Sequence, residues 1–163
     1  MTEDFRNGRG EIIVLTAQDV LESFRGLGNV IDPEERERIG KSLSERLTLP
    51  VLIDVLLELL GNYQKMAEIA GVSKGKIVKA WSRGIRKPQS TAAEDRLRLA
   101  FRMCSIIYGN ENPDLVSAWF TDPNSSLKGK SPLSLFRERD WRGGPKFAEQ
   151  LLNAAKDSRR VPA

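Results

Sequence analysis

Apolar positions recur at helical intervals along most of the chain, and one short run, Glu11 to Leu15, reads as a strand. Thr16 and Asp19 stand ahead of Val20, Leu21 and Phe24 as a helix start, and Gly26 and Gly28 close that helix. Asp32-Pro33-Glu34-Glu35 opens a second helix, expected to reach about Leu47. It combines a capping side chain, a proline in the first turn and acids that face the positive end of the helix dipole. Pro50 leads into the apolar segment Val51 to Leu60, closed by Gly61. This segment is interrupted by Asp54 and Glu58 and falls well short of the ~20 residues of a membrane span, so it is expected to be a core helix.

Thr91 and Glu94 have the spacing of a capping box, ahead of Leu97, Phe101, Cys104 and Tyr108 at helical intervals. Ala100, Met103 and Ile107 widen that stripe, which is core or dimer seam. It offers more apolar surface than one neighbour covers, so Leu97, Phe101, Cys104 and Tyr108 are expected to lie partly between two subunits. Beyond it, Asn112-Pro113 begins a helix through Leu115, Val116, Trp119 and Phe120, and Ser131-Pro132 a short one through Leu133, Leu135 and Phe136. After Gly143-Gly144-Pro145, a final amphipathic helix carries Phe147, Leu151, Leu152 and Ala155. The fold class read from this pattern is all-α. The last third is too short and too broken to fold alone, so it must pack on the preceding helix or on a partner.

The segment Tyr63 to Trp81 meets several requirements of a helix-turn-helix at once. Ala67 supplies a small residue inside the first helix, and Gly71 tolerates the positive φ of the turn. Val72, Ile77, Ala80 and Trp81 are expected to form the inward face of the second helix. Ser73 is placed to cap that helix, leaving Lys74, Lys76 and Lys79 outward. Gly75 departs from helix preference, and it serves either close approach to a DNA backbone or a frayed first turn.

Charge sharpens this reading. The 163 residues hold 26 bases and 22 acids, a formal net of +4. The excess is local: residues 1–48 carry a net of −3, residues 49–110 a net of +5, and residues 111–163 a net of +2. Between Ser73 and Lys87 stand six bases (Lys74, Lys76, Lys79, Arg83, Arg86 and Lys87) and no acid. That is the footprint of a phosphate-contacting surface. Ser73, Lys74, Gly75, Lys76 and Lys79 are expected in a major groove, with Arg83, Arg86 and Lys87 on flanking phosphates. A homodimer on a palindromic operator is expected, because one such module offers little surface for specificity.

Composition also narrows the chemistry. The chain has no histidine and one cysteine, Cys104. Imidazole catalysis, a disulfide framework and a thiolate metal cluster are thereby excluded, and Cys104, on an apolar face with no base to activate it, reads as structural. No cofactor, metal or catalytic residue is expected. Met1-Thr2-Glu3-Asp4 is acidic where a signal peptide is basic, and no apolar run approaches a membrane span, so a cytoplasmic protein without membrane contact is expected.

The last third reads Ala118-Trp119-Phe120-Thr121-Asp122-Pro123-Asn124, then Leu127, Gly129-Lys130-Ser131-Pro132 and Leu133-Ser134-Leu135-Phe136. Taken with the helix-turn-helix upstream, Pro50 to Lys156 resembles the Xre/MbcA/ParS family of type II antitoxins. Two features depart from that pattern: the first 48 residues are extra, and Phe136 stands where leucine is usual. The resemblance implies an antitoxin, not an enzyme, that covers the active site of a NAD-consuming RES-domain toxin and represses its own operon. It divides the chain into an N-terminal extension (1–48), the helix-turn-helix region (49–90), a connecting and dimerisation helix (91–110) and a toxin-binding domain (111–163). Trp119, Asn124, Leu127, Phe136, Phe147, Leu151, Arg159 and Arg160 are then the candidate toxin contacts, the two arginines on a tail that fills the entrance of the toxin's pocket. Read from the residues alone, Asp122, Asn124 and Gly129 serve the backbone of a turn, the last two through left-handed conformations. A stand-alone regulator without a toxin, and an adaptor in which the helix-turn-helix is only structural, are the other classes left open.

Overall fold

The computed structural model describes residues 5–6, 12–13, 15–109, 114–138 and 145–160. Among them are nine α-helices, so the chain is all-α apart from one two-residue strand pair. Strand β1 (Phe5–Arg6) runs antiparallel to β2 (Ile12–Ile13), which lies inside the run read as a strand.

Helix α1 (Ala17–Leu27) begins as expected: the Thr16 hydroxyl accepts from the Asp19 N–H, and the Asp19 carboxylate accepts from the Thr16 N–H. Helix α2 (Pro33–Arg46) is capped by Asp32 with proline in its first turn. Helix α3 (Leu49–Leu60) stops at Gly61, whose φ of 95° only glycine adopts at no cost. Helices α4 (Tyr63–Ala70) and α5 (Gly75–Ser82) follow, then α6 (Thr91–Ile107), α7 (Asp114–Thr121), a 3₁₀ turn at Ser125–Leu127, α8 (Pro132–Arg137) and α9 (Pro145–Arg160).

Helix α6 is the axis of the molecule, packed against α2, α3, α4, α7 and α9. One core runs through the whole chain from Val20 to Ala155, and Phe24 of α1 leans on Phe101 and Tyr108 with ring centroids 5.2 and 5.6 Å away. This corrects the expected dimer seam. Leu97, Phe101 and Cys104 have no exposed surface and Tyr108 is 6% exposed within a single chain. Five neighbouring helices, not one, cover the stripe, so nothing of it remains for a second subunit. Burial also pushes the Cys104 thiol well above its ordinary pKa, which leaves it inert. The capping box expected at Thr91 and Glu94 does not form either. Ser90 precedes α6 without a side-chain cap, and Glu94 faces Arg98 one turn on, 3.7 Å away.

Within the first 48 residues, α1 and α2 are no appendage, since both pack on the core. The seam between α2 and α6 is polar and close. Gly40 lies so near the Ser105 side chain that a Cβ would collide with it. Arg102 pairs with Glu37 at 2.7 Å, and Arg98 donates to the carbonyls of Ser44 and Leu47. Arg36 is 3% exposed and donates to the carbonyls of Val30, Ile106 and Tyr108. The last third packs on this scaffold through α7 on α3, α8 on α4 and α9 on α6 and α2.

Candidate nucleic-acid interface

Helix α4 is capped by Asn62, whose side chain accepts from the Lys65 N–H at 2.9 Å. Its other end is closed by Gly71 at φ 81°, with the N–H groups of Gly71 and Val72 both donating to the Ala67 carbonyl. Ala67 is fully buried, as a crossing helix requires. A Cβ at Gly71 would meet only the mobile end of the Arg96 side chain of α6, so it is the positive φ that asks for glycine.

The start of α5 departs from expectation. Ser73 is exposed and caps nothing; Lys74 precedes the helix without a side-chain cap. The Gly75 N–H is instead met by the Gln64 side chain from α4, at 3.3 Å. A Cβ at Gly75 would stand 3.0 Å from backbone atoms of Tyr63 and Gln64 and from the Tyr63 Cβ. Helix-to-helix packing therefore asks for glycine at position 75.

The inward face of α5 is carried by Val78 and Trp81, which are 0% and 5% exposed. Ile77 and Ala80, expected there, are only half-buried. Opposite the buried face, Lys76, Lys79 and Arg83 recur at three- and four-residue steps and so share one side of the helix, with the small Ala80 among them. Lys76 and Arg83 are exposed and Lys79 is half-buried; Lys74, Arg86 and Lys87 are exposed at either end. Among the described residues, none of these six bases makes an ion pair or a side-chain hydrogen bond. The nearby acid Glu68 is taken by Arg137 at 2.8 Å. A helix face with several unpaired cations and no anion is able to neutralise a run of phosphates.

The candidate toxin contacts are distributed differently. Leu127, Phe136 and Leu151 are buried at 2%, 1% and 0% exposure, so they are core residues that a partner cannot touch. Phe147 is half-buried against Phe136, edge to face at 5.9 Å. Trp119 is half-buried and donates its indole N–H to the Ser158 hydroxyl of α9 at 2.9 Å. Asn124 is extended, not left-handed: its side chain accepts from the Ser126 N–H, and its backbone bridges to Lys130 across a loop. The left-handed positions of that loop are Lys128 and Gly129.

Arg159 corrects the free-tail expectation, because it lies in α9 and donates to the carbonyls of Ile106 and Tyr108 at the end of α6. Lys156 is likewise held by Glu34 at 2.9 Å. The side chain of Arg160 and residues 161–163 fall outside the described residues, as do Asn112 and Pro113. No described helix is long and apolar enough to cross a membrane. Comparisons with protein families, with curated proteins and with solved structures return no match.

Proposed function

We propose that this protein is a DNA-binding antitoxin: α4 and α5 act as a helix-turn-helix that reads operator DNA, and the last third neutralises a RES-domain toxin. The DNA-binding half is carried by one observation, six bases on and beside α5 that have no partner among the described residues, while Arg36, Arg102, Arg137, Lys156 and Arg159 each have one. A phosphate-binding face needs bases that no acid has already neutralised, and these six meet that requirement. Lys76 and Lys79 are assigned to the groove, and Arg83, Arg86 and Lys87 to the flanking backbone. The test is gel retardation of the chain's own promoter DNA. Lys76→Glu/Lys79→Glu should abolish the shift with helicity unchanged, and unaltered retardation would sink the proposal.

What supports the antitoxin half is the motif from Trp119 to Phe136. In a growth assay, co-expression of the chain with a RES-domain toxin encoded beside it should restore growth, and the two should co-purify. Burial of Leu127 and Phe136 favours a second reading, a stand-alone regulator, since folding alone accounts for those motif residues. DNA retardation with neither growth rescue nor co-purification would select it.

A further inference from the structure

The end of α5 holds an apolar side chain in the open. Gly84, at φ 69°, turns the chain in the left-handed region; its N–H donates to the Trp81 carbonyl at 3.2 Å and the Ile85 N–H to the Ala80 carbonyl at 3.1 Å. These are the two crossed bonds of a Schellman closure, in which the residue at Ile85's position ordinarily packs its apolar side chain on the residue at Ala80's position. Here that partner offers a single methyl group. Ile85 remains 72% exposed although its backbone is pinned. Isoleucine is β-branched and stiff at its first torsion, so the side chain is held out in few orientations.

Its neighbours in sequence are basic. Arg83, Arg86 and Lys87 flank it in sequence, all exposed and unpaired among the described residues, and Ala80 lies on the face shared by Lys76 and Lys79. A second copy of this chain would bring the same bases against each other, whereas a polyanion with an apolar feature meets both the charge and the side chain. Duplex DNA has such a feature in its major groove, the 5-methyl group of thymine.

Resting on the DNA-binding reading above, we infer that Ile85 is a sequence-reading contact, seated on a thymine methyl where α5 leaves the groove, while Arg83, Arg86 and Lys87 hold the phosphates around it. The interface then prefers an A·T pair at that step by apolar contact, without a hydrogen bond.

The probe is a set of duplexes selected by the full-length chain from a random-sequence pool, each remade with deoxyuridine in place of thymidine at single positions. At one position, uracil should weaken wild-type binding about fourfold, the worth of one buried methyl group. Ile85→Ser, whose side chain is exposed and whose fold is checked by circular dichroism, should lose the same factor on the thymine duplex and be indifferent to uracil. Its salt dependence should match wild type, because no phosphate contact is removed. Wild-type affinity in Ile85→Ser, or a uracil effect equal in both proteins, overturns the assignment. The Lys76→Glu/Lys79→Glu variant separates the two levels. If it loses the duplexes while Ile85→Ser keeps them, DNA binding stands and the Ile85 contact falls; if the wild-type chain selects and shifts no duplex, both fall.

Discussion

Four arginines around α6 and six bases around α5 are the same chemistry in opposite states. Arg36, Arg98 and Arg159 donate to backbone carbonyls, and Arg102 pairs with Glu37. Arg36 and Arg159 meet on one pair of acceptors, the Ile106 and Tyr108 carbonyls, at the negative end of the α6 dipole. A guanidinium with several fixed donors is suited to that task, and leaving those carbonyls unmet in a buried seam would be costly. The bases of α5 have no such duties. The difference teaches that net charge says little until each cation has been assigned a partner. Residues 1–48 have a net charge of −3 and still bury an arginine, while the +5 region leaves the six bases around α5 unpaired.

The comparison is broken most severely at Arg36. Arg36→Met should cost about 3 kcal/mol in urea denaturation, because the Val30 carbonyl loses its charged donor, those of Ile106 and Tyr108 keep only Arg159, and the methionine returns only packing. A loss below about 1 kcal/mol would show that the seam is held by shape alone. Next comes the closeness of the seam itself. Gly40→Ala should destabilise by about 2 kcal/mol, since its Cβ meets the Ser105 side chain. Ser105→Gly in the same chain should recover part of that loss, whereas no recovery would place the strain elsewhere.

On the other side of the comparison, Lys76→Glu/Lys79→Glu should leave the stability in urea denaturation within about 0.5 kcal/mol of wild type, as unpaired side chains on the surface do. A large loss there would mean that these lysines have structural partners after all. The smallest effect is expected at the cap of α1. Hydrogen bonds from the Thr16 backbone and hydroxyl hold the Asp19 carboxyl below its ordinary value of 3.8. Its folded pKa being depressed, the contribution is present above that value and is lost as the pH falls through the lower, folded one. Asp19→Asn should flatten the slope of stability against pH in that acid window and change little at neutrality. An unchanged slope would remove Asp19 from the acid response.

Much of the architecture was legible because local chemistry settles it. Thr16 with Asp19, Asp32 with Pro33, and the glycines at 61 and 71 mark helix ends through hydrogen bonds and φ angles that involve a few adjacent residues. The basic face of α5 was legible for a similar reason, since an absence of acids over fifteen residues is visible without coordinates. Docking of α2 was not. Its buried positions are Pro33, Arg36, Gly40 and Ser44, a stripe with little apolar signal that makes sense only against Arg98, Arg102 and Ser105 from a distant part of the chain.

The same division runs through the site. That α4 and α5 are helices joined at Gly71, and that Lys76, Lys79 and Arg83 share a side, follow from periodicity, which depends on the order of residues alone. Whether Ser73 or Gln64 serves the start of α5, why Gly75 is glycine, and whether Phe101 and Cys104 face a second subunit or their own core depend on which surfaces meet in space. So does the fate of Arg159, which reads as a free terminal base until α9 is laid along α6 and its guanidinium reaches the carbonyls of Ile106 and Tyr108. Local sequence decides what each element is, because backbone and neighbouring side chains act within a turn. Only the tertiary structure decides what each side chain has left to offer, because burial and pairing are set by residues far away along the chain.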